Sequence, residues 1–222
     1  MHIRQNALTA VLAMIVMTVL LGIAYPLAIT GISQVAFPGN ANGQQVKVNG
    51  RPIGSKLIGQ QFADVVTGKN GKVELDKNGN PVTTPDPRYF QTRPSATTPP
   101  DNAAATTFSN LGPNNLTTEQ EIAANIKAYL ALEKPYDPGL TTAQVPVDAA
   151  DSSASGVDPD ISQANARIQA HRVAAVRHLS LSKVMQLISQ YTTSRSLGIF
   201  GEPGVNVLEL NLALDRLAGG RS

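Results

Sequence analysis

The sequence predicts an α/β protein: one N-terminal transmembrane helix followed by a single mixed α/β extracytoplasmic domain. Three observations carry this. No charged residue occurs from Gln5 to Val46, and within that stretch Leu8 to Ile32 is almost wholly apolar. Asn-Gly turn signals follow at Asn49-Gly50, Asn70-Gly71 and Asn78-Gly79. Later segments carry apolar residues at the helical period behind N-cap residues.

The first element is the membrane helix. Its 25 residues, 8–32, extend about 37 Å at a rise of about 1.5 Å per residue, enough to cross a hydrocarbon core of about 30 Å with tilt. A cleavable signal peptide competes. Its apolar region is normally about 7–15 residues and ends at a small-residue cleavage site. This run is longer, and no clean Ala-x-Ala site follows. Arg4 and the α-amino group precede the helix, and the next basic residue is Lys47. The positive-inside rule then puts residues 1–7 in the cytoplasm and 33–222 outside. Pro26 lacks the amide that would bond the Gly22 carbonyl, which predicts a kink. Thr18 and Gly22 form a small-xxx-small pair, as do Ala24 and Ala28, and such pairs let helices approach closely in lipid.

After the helix, Ser33 to Gln44 reads as a polar linker. Val46 to Ile53 reads as a hairpin, because Asn49-Gly50 tolerates the positive φ of a type I′ turn. Lys56 to Phe62 is a further candidate strand. Residues 66–85 read as a surface hairpin built on two Asn-Gly turns. Pro85 to Asn115 lacks periodicity and is long for a loop, which points to function or disorder. Thr118 and Glu121 match a capping box, with Ile122, Ile126, Tyr129 and Leu130 on one face and Pro135 beyond. Ser162 is the expected N-cap of a helix from Gln163 to His178. A third helix starts near Ser180, with Leu181, Val184, Met185 and Ile188 in one stripe. Residues 205–217 suit two readings. Alternation from Leu208 to Leu214 after Val205 and Val207 favours a bulged strand. Val207, Leu210, Leu214 and Leu217 would also align on a helix.

Composition removes several functions. The chain has no Cys, which excludes disulfides, thiolate metal sites and thiol catalysis. A net charge of +2 gives no electrostatic reason to expect nucleic acid. No Walker loop, no dinucleotide Gly motif and no Gly-x-Ser-x-Gly elbow occurs. His171 and His178 lie seven apart without a carboxylate or thiolate neighbour and make a poor metal site. Ser155, Asp158 and His171 as a triad lack supporting context. Asp148, Asp151, Asp158 and Asp160 form an acidic loop able to attract cations. The bland alternative is that they cap turns and pair with Arg167, Arg172 and Arg177, which lie five apart and wind around their helix.

Several blocks together are more specific. They are Gly54-Ser55-x-Leu57-Ile58-Gly59-Gln60-x-Phe62, Tyr89-Phe90-x-x-Arg93-Pro94-Ser95-Ala96, and Ser109-Asn110-Leu111-Gly112-Pro113. Then come Val145-Pro146-x-Asp148, Ser153-Ala154-Ser155-Gly156-x-Asp158-Pro159, and Arg172-Val173-Ala174. The last is Gly201-Glu202-Pro203-x-Val205-Asn206-Val207-Leu208-x-Leu210-Asn211-x-Ala213-Leu214-Asp215. In this order after one membrane helix, they resemble the C subunit of the Kdp potassium-transporting ATPase, the KdpC family. Residues 66–85 depart from that pattern and look inserted.

The resemblance implies a non-catalytic accessory subunit of a high-affinity potassium uptake complex in the cell membrane, inner or plasma. Its implied partners are a potassium-channel-like subunit, a P-type ATPase subunit phosphorylated on Asp, and a very small membrane subunit. The phosphorylation motif Asp-Lys-Thr-Gly is absent here. The family's C subunit is described as a catalytic chaperone that raises ATP affinity. ATP and K+ would act at the level of the complex, with no cofactor assigned to this chain. The predicted topology leaves only the residues before Leu8 facing cytoplasmic ATP, so such an effect would be indirect. A membrane-anchored extracytoplasmic enzyme or binding module acting alone is the competing class.

Overall fold

A computed structural model describes residues 2–105, 107 and 110–219, with side chains through Leu217. The chain divides into two units, residues 2–53 and residues 54–219.

The first unit is dominated by one apolar helical run, His2–Ala36, long enough to cross a membrane, with none of its most apolar window buried by protein. It comprises α1 (His2–Val19), a π-helical turn (Leu20–Ala24) and α2 (Tyr25–Ala36). The wide turn sits just before Pro26. There the Tyr25 N–H reaches back five residues to the Leu20 carbonyl. Pro26 stands in the first turn of α2, where its missing donor is tolerated. The residues expected to form a linker instead continue α2 to Ala36 and add a single turn, α3 (Pro38–Ala41). β1 (Gln45–Val48) then pairs with β2 (Arg51–Ser55). Both turn residues have positive φ, 50° at Asn49 and 78° at Gly50, as a type I′ turn requires.

In the second unit, Lys56 to Phe62 forms a turn and loop, not the expected strand; the strand comes next, as β3 (Ala63–Val65). β3 pairs antiparallel with β4 (Thr83–Pro85), in the register Ala63↔Pro85 to Val65↔Thr83. Beyond that ladder the intervening residues fork into two small hairpins, closed by the bridges Thr67↔Val73 and Leu75↔Pro81, with Glu74 bonded to Val66 on one side and Val82 on the other. Each exposed hairpin is tipped by one of the two Asn-Gly turns.

α4 (Leu116–Glu133) is capped by Asn115, whose side chain accepts from the Thr117 N–H at 2.8 Å. The Thr118 capping box is therefore displaced: Thr118 lies inside the first turn, and a helix started by Asn115 has no further use for it. After α5 (Val147–Ala150) and β5 (Asp160–Ile161), Ser162 caps α6 (Gln163–Val176) and Ser180 caps α7 (Leu181–Gln190), each accepting from the N–H three residues on. β6 (Thr192–Thr193) and β7 (Gly204–Asn206) complete a three-stranded antiparallel sheet with β7 central.

The C-terminal run corrects the strand expectation. Only Gly204–Asn206 is a strand; Val207–Gly219 is α8. The Asn206 Oδ1 accepts from the Glu209 N–H at 3.1 Å and starts the helix. Val207, Leu210 and Leu214 lie at helical spacing and are fully buried. They pack with Phe90, Ile161, Val173, Val184 and Val205 into one core between the small sheet and α6, α7 and α8.

The helix makes a prediction that a strand would not. On a strand, Leu212 and Leu214 would share a face; on α8, Leu214 is fully buried and Leu212 only partly. Leu214→Ala is expected to cost about 2–5 kcal/mol, and Leu212→Ala clearly less. Urea unfolding of the detergent-solubilised chain reads the difference, and equal losses would reject the helical register.

Candidate functional site

The family-pattern residues converge on the non-periodic stretch that begins at Pro85. Its first part, Asp86 to Gln91, opens with a turn, in which the Tyr89 N–H donates to the Asp86 carbonyl at 3.2 Å, and joins no strand. Buried side chains satisfy its backbone instead. Asn211, on α8, accepts from the Phe90 N–H at 2.9 Å and donates to the Phe90 carbonyl at 3.0 Å. Gln169, on α6, does the same for Gln91 at 2.7 and 3.1 Å. Each primary amide thus mimics one residue of a β partner.

Arg172 closes this clamp. Its Nη1 donates to the Pro87 and Tyr89 carbonyls at 2.7 and 2.8 Å, its Nη2 to Gln169 at 3.0 Å, and its Nε to Glu133 at 3.0 and 3.1 Å. Arg172 and Glu133 are 0% and 1% exposed, so an unpaired charge here would be costly. Burial pushes the Glu133 carboxyl up while the guanidinium pulls it down. The Gln169 amide also bonds Asn165, which accepts from the Tyr129 hydroxyl and donates to Asp148.

The chain then enters a second knot. Arg93 pairs with Asp158 at 3.2 Å and donates to the carbonyls of Asp151 and Ser152. Ser95 donates to the Gly156 carbonyl at 2.6 Å, and the Gly59 N–H donates to the Val157 carbonyl at 2.7 Å. Gly156 has φ of +73°, and a Cβ there would stand 2.5 Å from the Thr107 carbonyl oxygen, so only glycine fits. Between the knots lies a cleft of about 310 Å3 bordered by Gln91, Arg93, Asp101, Asn125 and Tyr129. The Arg93 Nε is buried without a hydrogen-bond partner among the described residues. Burial also pushes the Asp101 carboxyl up to about 6, and the Thr92 hydroxyl partly offsets this.

The remaining sequence candidates are dispersed. Asp148 accepts from the N–H and hydroxyl of Ser162 at 2.7 and 2.8 Å, placing a carboxylate at the start of α6. Asp160 accepts from Asn206, which also donates to the Lys56 carbonyl, and burial raises the Asp160 carboxyl. Of the four acidic residues, Asp148 and Asp158 accept backbone N–H groups, and the ion pairs among the described residues are not those suggested by sequence. Asp158 takes Arg93, Arg172 takes Glu133, and Arg177 takes Asp215 at 2.9 Å. Ser155 bonds Ser153 and the Val157 N–H. Among the described residues no group of three or more His, Asp or Glu is arranged to hold a metal.

Other pattern residues occupy edges. Phe62 stacks at 5.3 Å on Tyr89, Pro94 borders the cleft, and the Pro159 carbonyl accepts from the Val207 N–H at 3.0 Å. Gln60 is half-buried, and Asn110, Gly112 and Pro113 are exposed. Ser109 lies outside the described residues. Glu202 and Pro203 belong to the loop before β7, with Glu202 paired to Arg195. The sequence reading missed Glu133, Asn165, Gln169 and Asp101. Asn165, Gln169 and Arg172 at i, i+4 and i+7 were the available signal, since they share one face of α6.

Asp101 sets a pH dependence. Burial raises its carboxyl from the ordinary 3.8 to about 6 in the folded chain. At this group the folded chain therefore binds more protons between those values, and its contribution to stability rises as pH falls from about 6 towards about 4. Above pH 6 the buried charge is a cost. Asp101→Asn is expected to stabilise the protein at pH 7.5 by about 1–2 kcal/mol after discounting for partial exposure, and to flatten that slope. Thermal unfolding across pH checks both; a destabilised variant with an unchanged slope would refute this role.

Comparison with known proteins agrees in extent with this architecture. The family described as KdpC, "K+-transporting ATPase, c chain", matches residues 7–216. The potassium-transporting ATPase KdpC subunit of Herpetosiphon aurantiacus is 44% identical over 209 residues, covering 94% of each chain. That of Methylibium petroleiphilum is 46% identical over 200 residues, covering 90% of this chain and 91% of the relative. That of Mycobacterium bovis is 42% identical over 214 residues, covering 96% of this chain and all of the relative. The apolar helix and the clamped domain both fall inside these matches, and the chain belongs to the KdpC family of K+-transporting ATPase c chains.

Proposed function

We propose that this chain is a non-catalytic accessory subunit of an ATP-driven potassium uptake complex, anchored by its first helix and bracing the assembly with its second unit. The observation that carries this is the family match over residues 7–216, which takes in anchor and domain together. The partners are a potassium-channel-like subunit, a P-type ATPase subunit and a small membrane subunit. Arg4 ahead of an uncharged helix supports a cytoplasmic N-terminus and an extracytoplasmic domain. On that topology any gain in ATP affinity runs through packed membrane helices, not through contact with nucleotide. Thr18, Gly22 and Pro26 are the proposed packing face. A Cβ at Gly22 would meet only the Thr18 methyl at 3.8 Å, so close approach there is left to a neighbouring helix.

Affinity purification of the tagged chain, expressed with those subunits, tests the reading. Large hydrophobic subunits with potassium-stimulated ATPase activity are expected to co-purify, while the chain alone hydrolyses no ATP. Gly22→Leu is expected to lower recovery of the complex several-fold without altering the fold of the second unit. ATP hydrolysis by the isolated chain, abolished by a point change in it, would favour the lone-enzyme class instead.

Topology has its own measurement. An alkaline phosphatase fused to the C-terminus is expected to be active, since that enzyme works only when exported. Activity of a cytoplasm-only reporter at the same point would reverse the orientation.

A further inference from the structure

The loop between β6 and β7 carries an apolar tip that none of the described residues covers. Leu197, Ile199 and Phe200 are 87%, 69% and 62% exposed. From Ser196 to Gly201 the chain has no charge. The tip is nevertheless built. Ser196 and Phe200 exchange backbone hydrogen bonds at 2.8 and 2.9 Å, and the N–H groups of Gly198 and Ile199 donate to the Arg195 and Ser196 carbonyls. Arg195 and Glu202 join across the base at 2.6 and 2.7 Å. The hairpin is mounted on β7, whose Val205 is fully buried in the core. Leu197 holds φ of 53°, a left-handed conformation uncommon for leucine, and this leaves its side chain facing water. Two unfavourable features, an exposed apolar triad and a left-handed leucine, thus coincide in a rigid projection.

We infer that this tip is a knob that seats in an apolar socket on a membrane-embedded protein subunit of the same complex. The inference rests on the accessory-subunit reading and names a contact within it. Size supports it. Three side chains offer a few hundred Å2, whereas a stable interface needs about 800 Å2 per partner, so the knob can only supplement another attachment. The covalently linked apolar helix supplies one and raises the effective concentration of the second contact. Rigidity suits a socket, because a preorganised anchor loses little entropy on docking. Charge disfavours lipid as the occupant. Peripheral binding by a short apolar segment relies on basic residues facing anionic headgroups, and here the single base arginine is neutralised by Glu202.

The test uses the assembled complex. With p-benzoylphenylalanine in place of Phe200, illumination is expected to link this chain to a partner subunit, identified by mass spectrometry. Adducts with lipid or with a second copy of this chain only, or no adduct at all, would overturn the inference. Ile199→Asp with Phe200→Asp is expected to reduce partner subunits recovered per tagged chain about tenfold or more. Ile199→Leu with Phe200→Leu is expected to keep recovery within about twofold. Because these side chains are exposed, the isolated Asp variant should unfold at the wild-type temperature. If it does so and assembles normally, the knob is refuted and the accessory reading survives. If the wild-type chain recovers no partner, both fall.

Discussion

The buried guanidinium of Arg172 is the constraint on which the second unit depends. Asp86 to Gln91 runs along the core with no strand beside it, burying Asp86 and Phe90, and an unpaired buried peptide group is costly. Arg172 takes two of its carbonyls, while Gln169 and Asn211 each pair the N–H and carbonyl of one residue, Gln91 and Phe90. Glu133 balances the charge and ties α4 to α6. A carboxylate left alone there would destabilise by about 3–5 kcal/mol, far more than a surface pair could contribute. Lysine would not substitute, since a point charge lacks the fork that reaches Glu133, Gln169 and two carbonyls together.

This arrangement explains how an aperiodic segment can be an ordered one. With its backbone held, Phe90 enters the core, Tyr89 lies under Arg177 at 4.5 Å, and Arg93 reaches the loop before β5. The second knot follows from the first. Gly156 can approach the Thr107 carbonyl closely because the chain on its other side is pinned by Ser95. Polar side chains therefore do for this domain what a larger sheet does for others, and its described strands are two or three residues long.

Local signals in the sequence were legible where one residue decides the outcome. Ser162 and Ser180 announced their helices, and Asn49-Gly50 its hairpin. The errors arose where two signals overlapped. Asn206 and Glu209 have the spacing of a cap followed by an acidic third residue, but the alternation of Leu208, Leu210, Leu212 and Leu214 masked it. Asn115 capped α4 three residues before Thr118, whose place in the first turn made it look like the start. The buried clamp was masked for a different reason. Its one local signal, the shared α6 face of Asn165, Gln169 and Arg172, competes with the even spacing of Arg172 with Arg167, which is exposed, and Arg177, which is partly buried. Its partner Glu133 lies 39 residues away and is brought to it only by the packing of α4 on α6.

The π turn in the first unit has a geometric consequence. One residue is added to a single turn, which advances the helical phase by about 100° for everything beyond it. A stripe drawn along α1 does not continue along α2. Thr18 and Gly22 keep their own meridian, and Ala28 and Ile32 fall on another. The anchor is thus two rods spliced out of phase, so a bilayer-spanning neighbour that follows one half must part from the other, and two different helices can be read by one continuous segment.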